Sequence, residues 1–371
     1  MKYNWQHPKW PLFTYNESKI KEIVLEYLFE AGLTLGLFQG FDKDLETTTL
    51  QEILIEEALT TSKIEGEDLT YDDLRSSFSN QLGLETFYPS KDPRADGLSK
   101  MMMDLRRNFK EPLTSRTLWN WHEMMFQNQR LSQDMEVGKW RTDPFDMEII
   151  SGPYGKEKVF FKAPKSQNIP SEMDRFIKWY NDFCDEKDHV KGVLRAALCH
   201  LYFESIHPFV DGNGRIGRAL SEKALSQDLG YGVLMSLSKQ LHKEKKTYYG
   251  ELHKASSYTL DVTNWIVFFS QMILKAQKDA KETLIFVMKK SKFWKTYGTC
   301  LNDRQEKVLK RLFKEGKEGF KGGLSAKNHM TITQCSKATA TRDLADLLKK
   351  GCLVKSQTEG RSTCYFLNLS P

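Results

Sequence analysis

The run from Val193 to Ile206, containing Ala196-Ala-Leu-Cys-His-Leu-Tyr-Phe203, is apolar on nearly every side and stops at His207-Pro208. A helix with no polar face must be surrounded by other elements, so this segment is expected at the centre of a helical bundle. Proline cannot continue the helix. The chain must turn at His207, which places the imidazole at the mouth of the bundle.

The turn opens His207-Pro-Phe-Val-Asp-Gly-Asn-Gly-Arg-Ile-Gly-Arg218. Gly212-Asn213-Gly214 allows a tight turn whose backbone N–H groups converge, and a helix is expected to start near Arg215. N–H groups gathered at a helix N-terminus form a phosphate site by geometry and dipole. Arg215 and Arg218, three residues apart, share one helical face and suit successive phosphates. Asp211 would repel bare phosphates, but Mg²⁺ between them reverses the sign, since this ion favours one or two carboxylates plus phosphate oxygens. His207, with a reference pKa near about 6.5, can accept a proton at physiological pH. The stretch is read as a site for a nucleoside triphosphate and its metal, with a base beside it.

The rest of the chain is mostly helical in pattern. Residues 1–16 carry Trp5, Pro8, Trp10, Pro11, Phe13 and Tyr15 and suit an extended arm. Apolar residues at three- and four-residue spacing mark a helix after Asn16 and another from about Thr47, which brings Thr61 and Glu65 to positions i and i+4 before Gly66 ends it. Residues 85–97 read as a loop, and helical pattern resumes through Met101, Leu105, Leu118–His122 and Met124–Phe126. Met147–Ile150 and Val159–Phe161 flank the Gly/Pro turn Ser151–Gly155, which predicts a β-hairpin. Helices follow from Ser171 and over Asp261–Lys281.

A Lys-rich segment, Lys289–Lys295, is expected to lead into a separate unit. There, helical pattern at Glu306–Phe313, Met330–Cys335 and Thr339–Leu348 precedes two short strands, Leu353-Val354 and Cys364–Leu367, around the turn Thr358–Arg361. This is a winged-helix-like pattern, with Ser336–Arg342 at the start of the would-be recognition helix. The expected class is mainly α: a helical bundle with a β-hairpin flap, then a winged-helix-like α+β domain. The expected domains are 1–98, 99–285 and 298–371.

The six cysteines show neither C-x-x-C spacing nor the density of a disulfide scaffold. No signal peptide or membrane span is apparent, so a cytoplasmic protein with no membrane partner is expected. The net charge is +6, but residues 301–371 hold 14 Lys/Arg against 7 Asp/Glu, a surplus of +7, which leaves −1 for residues 1–300. DNA contact is therefore a question for residues 300–371 alone, with protein docking as its alternative. A homodimer is left open.

The stretch His207–Arg218 resembles, position for position, the motif of the Fic-domain protein adenylyltransferases, which transfer AMP from ATP to a protein hydroxyl. The resemblance extends to His200–Ile206 and the hairpin, which looks like the family's target-docking flap, and covers roughly residues 100–260. It implies that His207 deprotonates the target hydroxyl, Phe209 anchors the loop, and Asp211 holds Mg²⁺ on the phosphates. The amides around Gly212 and Gly214, with Asn213, would form the anion hole, Arg215 would contact the leaving pyrophosphate and Arg218 the γ-phosphate. Thr61-Ser-Lys-Ile-Glu65-Gly66 resembles the family's inhibitory pattern, which implies a salt bridge from Glu65 to Arg218 that leaves ATP bound unproductively.

Tyr248–Ser256 is similar to the adenosine-side segment, which brings in Tyr249 as a nucleotide contact, although Ser256 stands where an amide side chain is expected. The implied partners are ATP and a hydroxyl-bearing (Tyr, Ser or Thr) target protein or the chain itself. The alternatives are transfer of another phosphate-containing group, removal of AMP, or a nucleotide-sensing DNA-binding regulator.

Overall fold

The computed structural model describes residues 3–84, 90–127, 129, 135–143, 147–151, 158–183, 189–316, 319–320, 322–356 and 363–369. Turn residues 152–155 and 358–361, together with Thr86, Pro89 and Cys184, lie outside the described residues. The chain divides into two compact units, Met1–Ala280 and Lys281–Pro371.

In the first unit, α1 (Lys21–Gln39), α2 (Lys43–Ile64) and α3 (Tyr71–Leu82) are followed by α4 (Pro93–Asn108) and α5 (Ser115–Phe126). The expected loop over 85–97 is shorter than read: Asp92 accepts from Arg94 N and Pro93 takes the first helical position, so α4 begins there. The antiparallel strands β1 (Glu148–Ser151) and β2 (Lys158–Lys162) form the expected hairpin, with a register shift between Ile149 and Ile150. Then come α6 (Ile169–Asp182), α7 (His189–Ile206), α8 (Asn213–Leu229), α9 (Leu237–Lys243), α10 (Lys245–Ala255) and α11 (Thr263–Tyr297), whose residues up to Ala280 belong to this unit.

Helix α7 is the centre predicted for it. Val193, Leu194, Ala196, Ala197, Cys199, Leu201, Tyr202 and Phe203 are all buried, and its neighbours include α1, α6 and α8. Helix α8 starts two residues earlier than expected, because Gly212 adopts a left-handed conformation (φ 83°) as its N-cap. Helix α11 does not end near Lys281 but continues to Tyr297, so Lys289–Lys295 is helix rather than a lead-in.

The N-terminal arm is anchored through three successive residues. Trp5 Nε1 donates to Lys162 O at 2.7 Å and the Tyr3 ring meets the edge of Phe161, which ties the arm to β2. Asn4, fully buried, donates its Nδ2 to Ser205 Oγ at 2.8 Å and its backbone N–H to Ser256 O at 3.0 Å.

The second unit places α12 (Asp303–Lys314), α13 (Ala326–Thr333) and α14 (Lys337–Lys349) before an antiparallel pair, β3 (Leu353–Lys355) and β4 (Tyr365–Leu367). Leu324 adds an isolated bridge to Tyr365. Its own core is built from Phe293, Val308, Leu309, Leu312, Phe313, Leu344 and Leu347. No helix among the described residues is long and apolar enough to cross a membrane.

Candidate active site

Pro208 ends α7 and His207 takes up the turn in the left-handed region (φ 52°), a conformation that costs a non-glycine residue roughly 1–2 kcal/mol. Groups from outside the motif hold it there. The Arg141 backbone N–H donates to Pro208 O at 2.9 Å, and Arg141 Nε donates to His207 O at 2.8 Å. His122 stacks on Phe209 with ring centroids 4.2 Å apart and 12° between planes. Its Nδ1 accepts from Gly138 N at 3.0 Å, so its Nε2 carries the proton and donates to Asp211 O at 3.2 Å. Burial pushes His122 down to about 4, which keeps it neutral in this role.

Phe209 is fully buried, as the anchoring role requires. Asn213 closes the loop on itself: its Oδ1 accepts from Phe209 N at 3.0 Å and its Nδ2 donates to Phe209 O at 2.8 Å. The side chain expected at the anion hole therefore braces the loop. That leaves the first-turn N–H groups of α8, which have no intrahelical acceptor, as the donors an anion could meet there.

The loop borders a cavity of about 750 Å³, whose lining includes Glu65, Glu204, His207, Asp211, Gly214 and Tyr249. His207 Nδ1 has no hydrogen-bond partner among the described residues and lies 3.7 Å from Glu204 Oε2. Burial, followed by the charge of Arg141, drives His207 down to about 4, against the raising influence of Glu204, Glu65 and Asp211. The ring is neutral at physiological pH and free to take a proton. Burial, helped by the Glu65 charge, pushes Glu204 up to about 8, so it is an acid that stays protonated at neutral pH.

Both motif arginines are buried and both are paired. Arg218 Nη2 donates to Glu65 Oε1 at 2.6 Å and to Thr61 O at 3.2 Å, while its Nε donates to Thr61 Oγ1 at 2.7 Å. Burial raises the Glu65 carboxyl, but Arg218, with Arg215 and His207, outweighs it and holds the group below its ordinary range. A side chain at Gly214 would run into Glu65, because an added Cβ would meet Glu65 Oε1 at 2.2 Å. The motif's glycine thus admits the carboxylate as well as the turn.

Arg215 Nη1 donates to both oxygens of Glu67 at 2.8 Å, and its guanidinium lies over the Phe126 ring at 5.1 Å. Asp211 Oδ1 is 3.5 Å from Arg215 Nη2 and takes the Gly212 N–H at 2.5 Å. The Asp211 side chain is 58% exposed, open to a hard cation shared with phosphate oxygens. No cluster of three or more His, Cys, Asp or Glu that could hold a metal occurs among the described residues. Mg²⁺ held by one carboxylate and substrate phosphates needs none.

Tyr249, expected on the nucleotide, also donates to Ile64 O at 3.3 Å, beside Lys245 Nζ on the same carbonyl at 2.7 Å. A cation there complements the negative end of α2. Ser256 donates its hydroxyl to Leu252 O at 2.7 Å.

The structure brings His207, Asp211, Gly212, Asn213, Gly214, Arg215, Arg218, Glu65, Thr61 and Tyr249 into one region. Sequence reasoning missed Glu67, Glu204, His122 and Arg141. Glu204 lies inside the quoted run His200–Ile206, and Glu67 two residues past Glu65, so position alone could have flagged both.

The bundle brings a helix N-terminus and a neutral histidine to one cavity, with two buried arginines on the same helix behind them. Residues 112–225 match the Fic/DOC family model, and the chain carries a Fic/DOC domain. Residues 3–84 match a domain of unknown function, DUF4172. Protein adenylyltransferases Fic of Drosophila sechellia, Drosophila simulans and Drosophila melanogaster are each 30% identical over 122 residues, covering 31% of this chain and 24% of the relative. The chain thus spans about a quarter of the length of the curated relatives it matches. Among solved structures, a Fic family protein from Desulfovibrio desulfuricans aligns with TM-score 0.53 and 18% identity over 94% of this chain and 96% of that one. A Fic domain containing signaling protein from Bacteroides thetaiotaomicron gives 0.53 and 19% over 72% and 96%. These two establish the fold.

Proposed function

We propose that the chain is a protein adenylyltransferase that transfers AMP from ATP to a Tyr, Ser or Thr hydroxyl of a target protein or of itself, and that Glu65 holds it off. The observation that carries this reading is the buried Arg218–Glu65 pair, made beside a neutral His207 on one cavity. An arginine held 2% accessible at a helix start, with a carboxylate in a phosphate's place, is what a gated triphosphate site requires.

In the reaction, His207 takes the proton of the target hydroxyl as its oxygen bonds to the α-phosphorus. The bond from the α-phosphorus to the bridging oxygen breaks, and pyrophosphate leaves with the electron pair. The first-turn N–H groups of α8 and Arg215 carry the negative charge that develops on the phosphates, and Arg218, once released, grips the γ-phosphate. Asp211 would hold Mg²⁺ with the phosphate oxygens, which supplies charge neutralisation there. The β1–β2 hairpin, tied to the N-terminal arm through Trp5 and Tyr3, is the edge on which a target segment would lie.

Ser256, short and bonded to its own helix, favours a loosely read base, so other nucleotides belong in the test. The Glu65→Gly protein incubated with ATP and Mg²⁺ should gain AMP on itself or on a lysate protein. Glu65→Gly/His207→Ala should gain none, and an unlabelled Glu65→Gly sample would refute the transferase reading.

A further inference from the structure

The carboxylate on Arg215 was not foreseen from Glu65 and does something Glu65 does not. Glu67 reaches Arg215 with both oxygens at 2.8 Å, a bidentate contact on a side chain 4% accessible. One backbone turn aims both acids. Glu67 N bonds to Ser62 O at 2.9 Å and Gly66 N to Lys63 O at 3.2 Å, with Gly66 left-handed (φ 82°), which is the Schellman closure of α2. Glu65 stands just before that glycine and Glu67 just after it, so the two carboxylates meet the two motif arginines three residues apart on α8.

We propose that Glu67 determines which nucleotides the site favours: it fills the position of the phosphate that Arg215 would grip, so the protein as it stands binds diphosphates, as well as triphosphates, weakly. This rests on the reading of Arg215 and Arg218 as ligands of successive phosphates. With Glu65 alone in place, a nucleotide could still dock its first two phosphates and be held unproductively. With Glu67 on Arg215, the leaving-pyrophosphate position is taken too, and the nucleotide must displace two carboxylates rather than one. A Cβ added at Gly66 has nothing within 4 Å, so Gly66→Ala perturbs the turn through its left-handed backbone without a clash.

ADP and ATP separate the two gates, and calorimetric titration in the His207→Ala background with Mg²⁺ reads binding without turnover. Glu67→Gln should tighten ADP by about tenfold, while Glu65→Gly leaves ADP within about twofold; ATP should tighten with either change. Gly66→Ala should tighten both nucleotides. ATP that tightens on Glu65→Gly, with ADP and ATP both indifferent to Glu67→Gln, would overturn the assignment of Glu67 alone. Binding of neither nucleotide to Glu65→Gly/Glu67→Gln would overturn the phosphate-site reading itself, and the assignment with it.

Discussion

Two arginine–carboxylate clusters in this chain are built with opposite asymmetry. At the active-site candidate the cations are the inner partners: Arg215 and Arg218 are 4% and 2% accessible, while their acids Glu67 and Glu65 are 23% and 27%. In the second unit the order is reversed, with Asp343 at 5% and Arg304 at 42%. An anion arriving from solvent can take the place of an outer acid and leave the buried guanidinium satisfied. It cannot do so where the outer partner is the cation and the inner one would repel it. Arg304 and Asn302 simply fasten α12 to Asp343 on α14, so identical chemistry leaves an outer, displaceable acid in one unit and a brace in the other.

The comparison breaks most visibly at Arg218. In the Glu65→Gly background, Arg218→Ala should lower AMP transfer by about 100-fold or more, because the charge it neutralises in the transition state is left uncompensated; undiminished transfer would remove the gate reading. Next in size is stability. Glu65→Gln should cost about 2 kcal/mol in urea unfolding, less than for a fully buried pair because the acid is partly accessible, and saturating ATP should restore it.

Glu204 sharpens the picture as a site acid with no cation of its own among the described residues. Its folded pKa is raised to about 8, so its contribution to stability is complete below the unfolded value of 4.5 and is lost as pH rises through 8. Glu204→Gln should therefore gain on the parent protein between pH 5 and pH 8, by roughly 1–3 kcal/mol, in thermal unfolding at stepped pH. A difference that stays flat would show that Glu204 ionises like an ordinary surface acid. The smallest effect belongs to the brace: Arg304→Met should leave nucleotide affinity and AMP transfer unchanged, read by the same titration and mass measurements.

Legibility in the sequence followed contiguity. The motif from His207 to Arg218 is one unbroken stretch whose residues meet through a single turn, and α7 announced its central place by lacking a polar face. Glu65 could be paired with Arg218 only because a pattern tied to the Fic family linked two distant segments. Glu67 lay past the glycine where the helix ended, and its partner is set by a backbone turn that no side-chain periodicity records. His122 and Arg141 were out of reach for a plainer reason. They hold backbone carbonyls of the loop from 89 and 66 residues away, and nothing about a carbonyl is written in the letters. Helix α11 was cut short because a run of lysines reads as a linker, whereas Phe286, Phe293, Trp294 and Tyr297 carry its inner face on into the second core.

The central claim is that a carboxylate stands where a phosphate belongs and that removing it releases AMP transfer. Intact-mass measurement of the full chain after incubation with ATP and Mg²⁺, with and without cell lysate, tests it directly in three forms: parent, Glu65→Gly and Glu65→Gly/His207→Ala. The predicted result is AMP on the Glu65→Gly protein or on a lysate protein in its presence, little with the parent and none with the double variant. Equal labelling by parent and Glu65→Gly would contradict the gate, and labelling that survives His207→Ala would contradict the base.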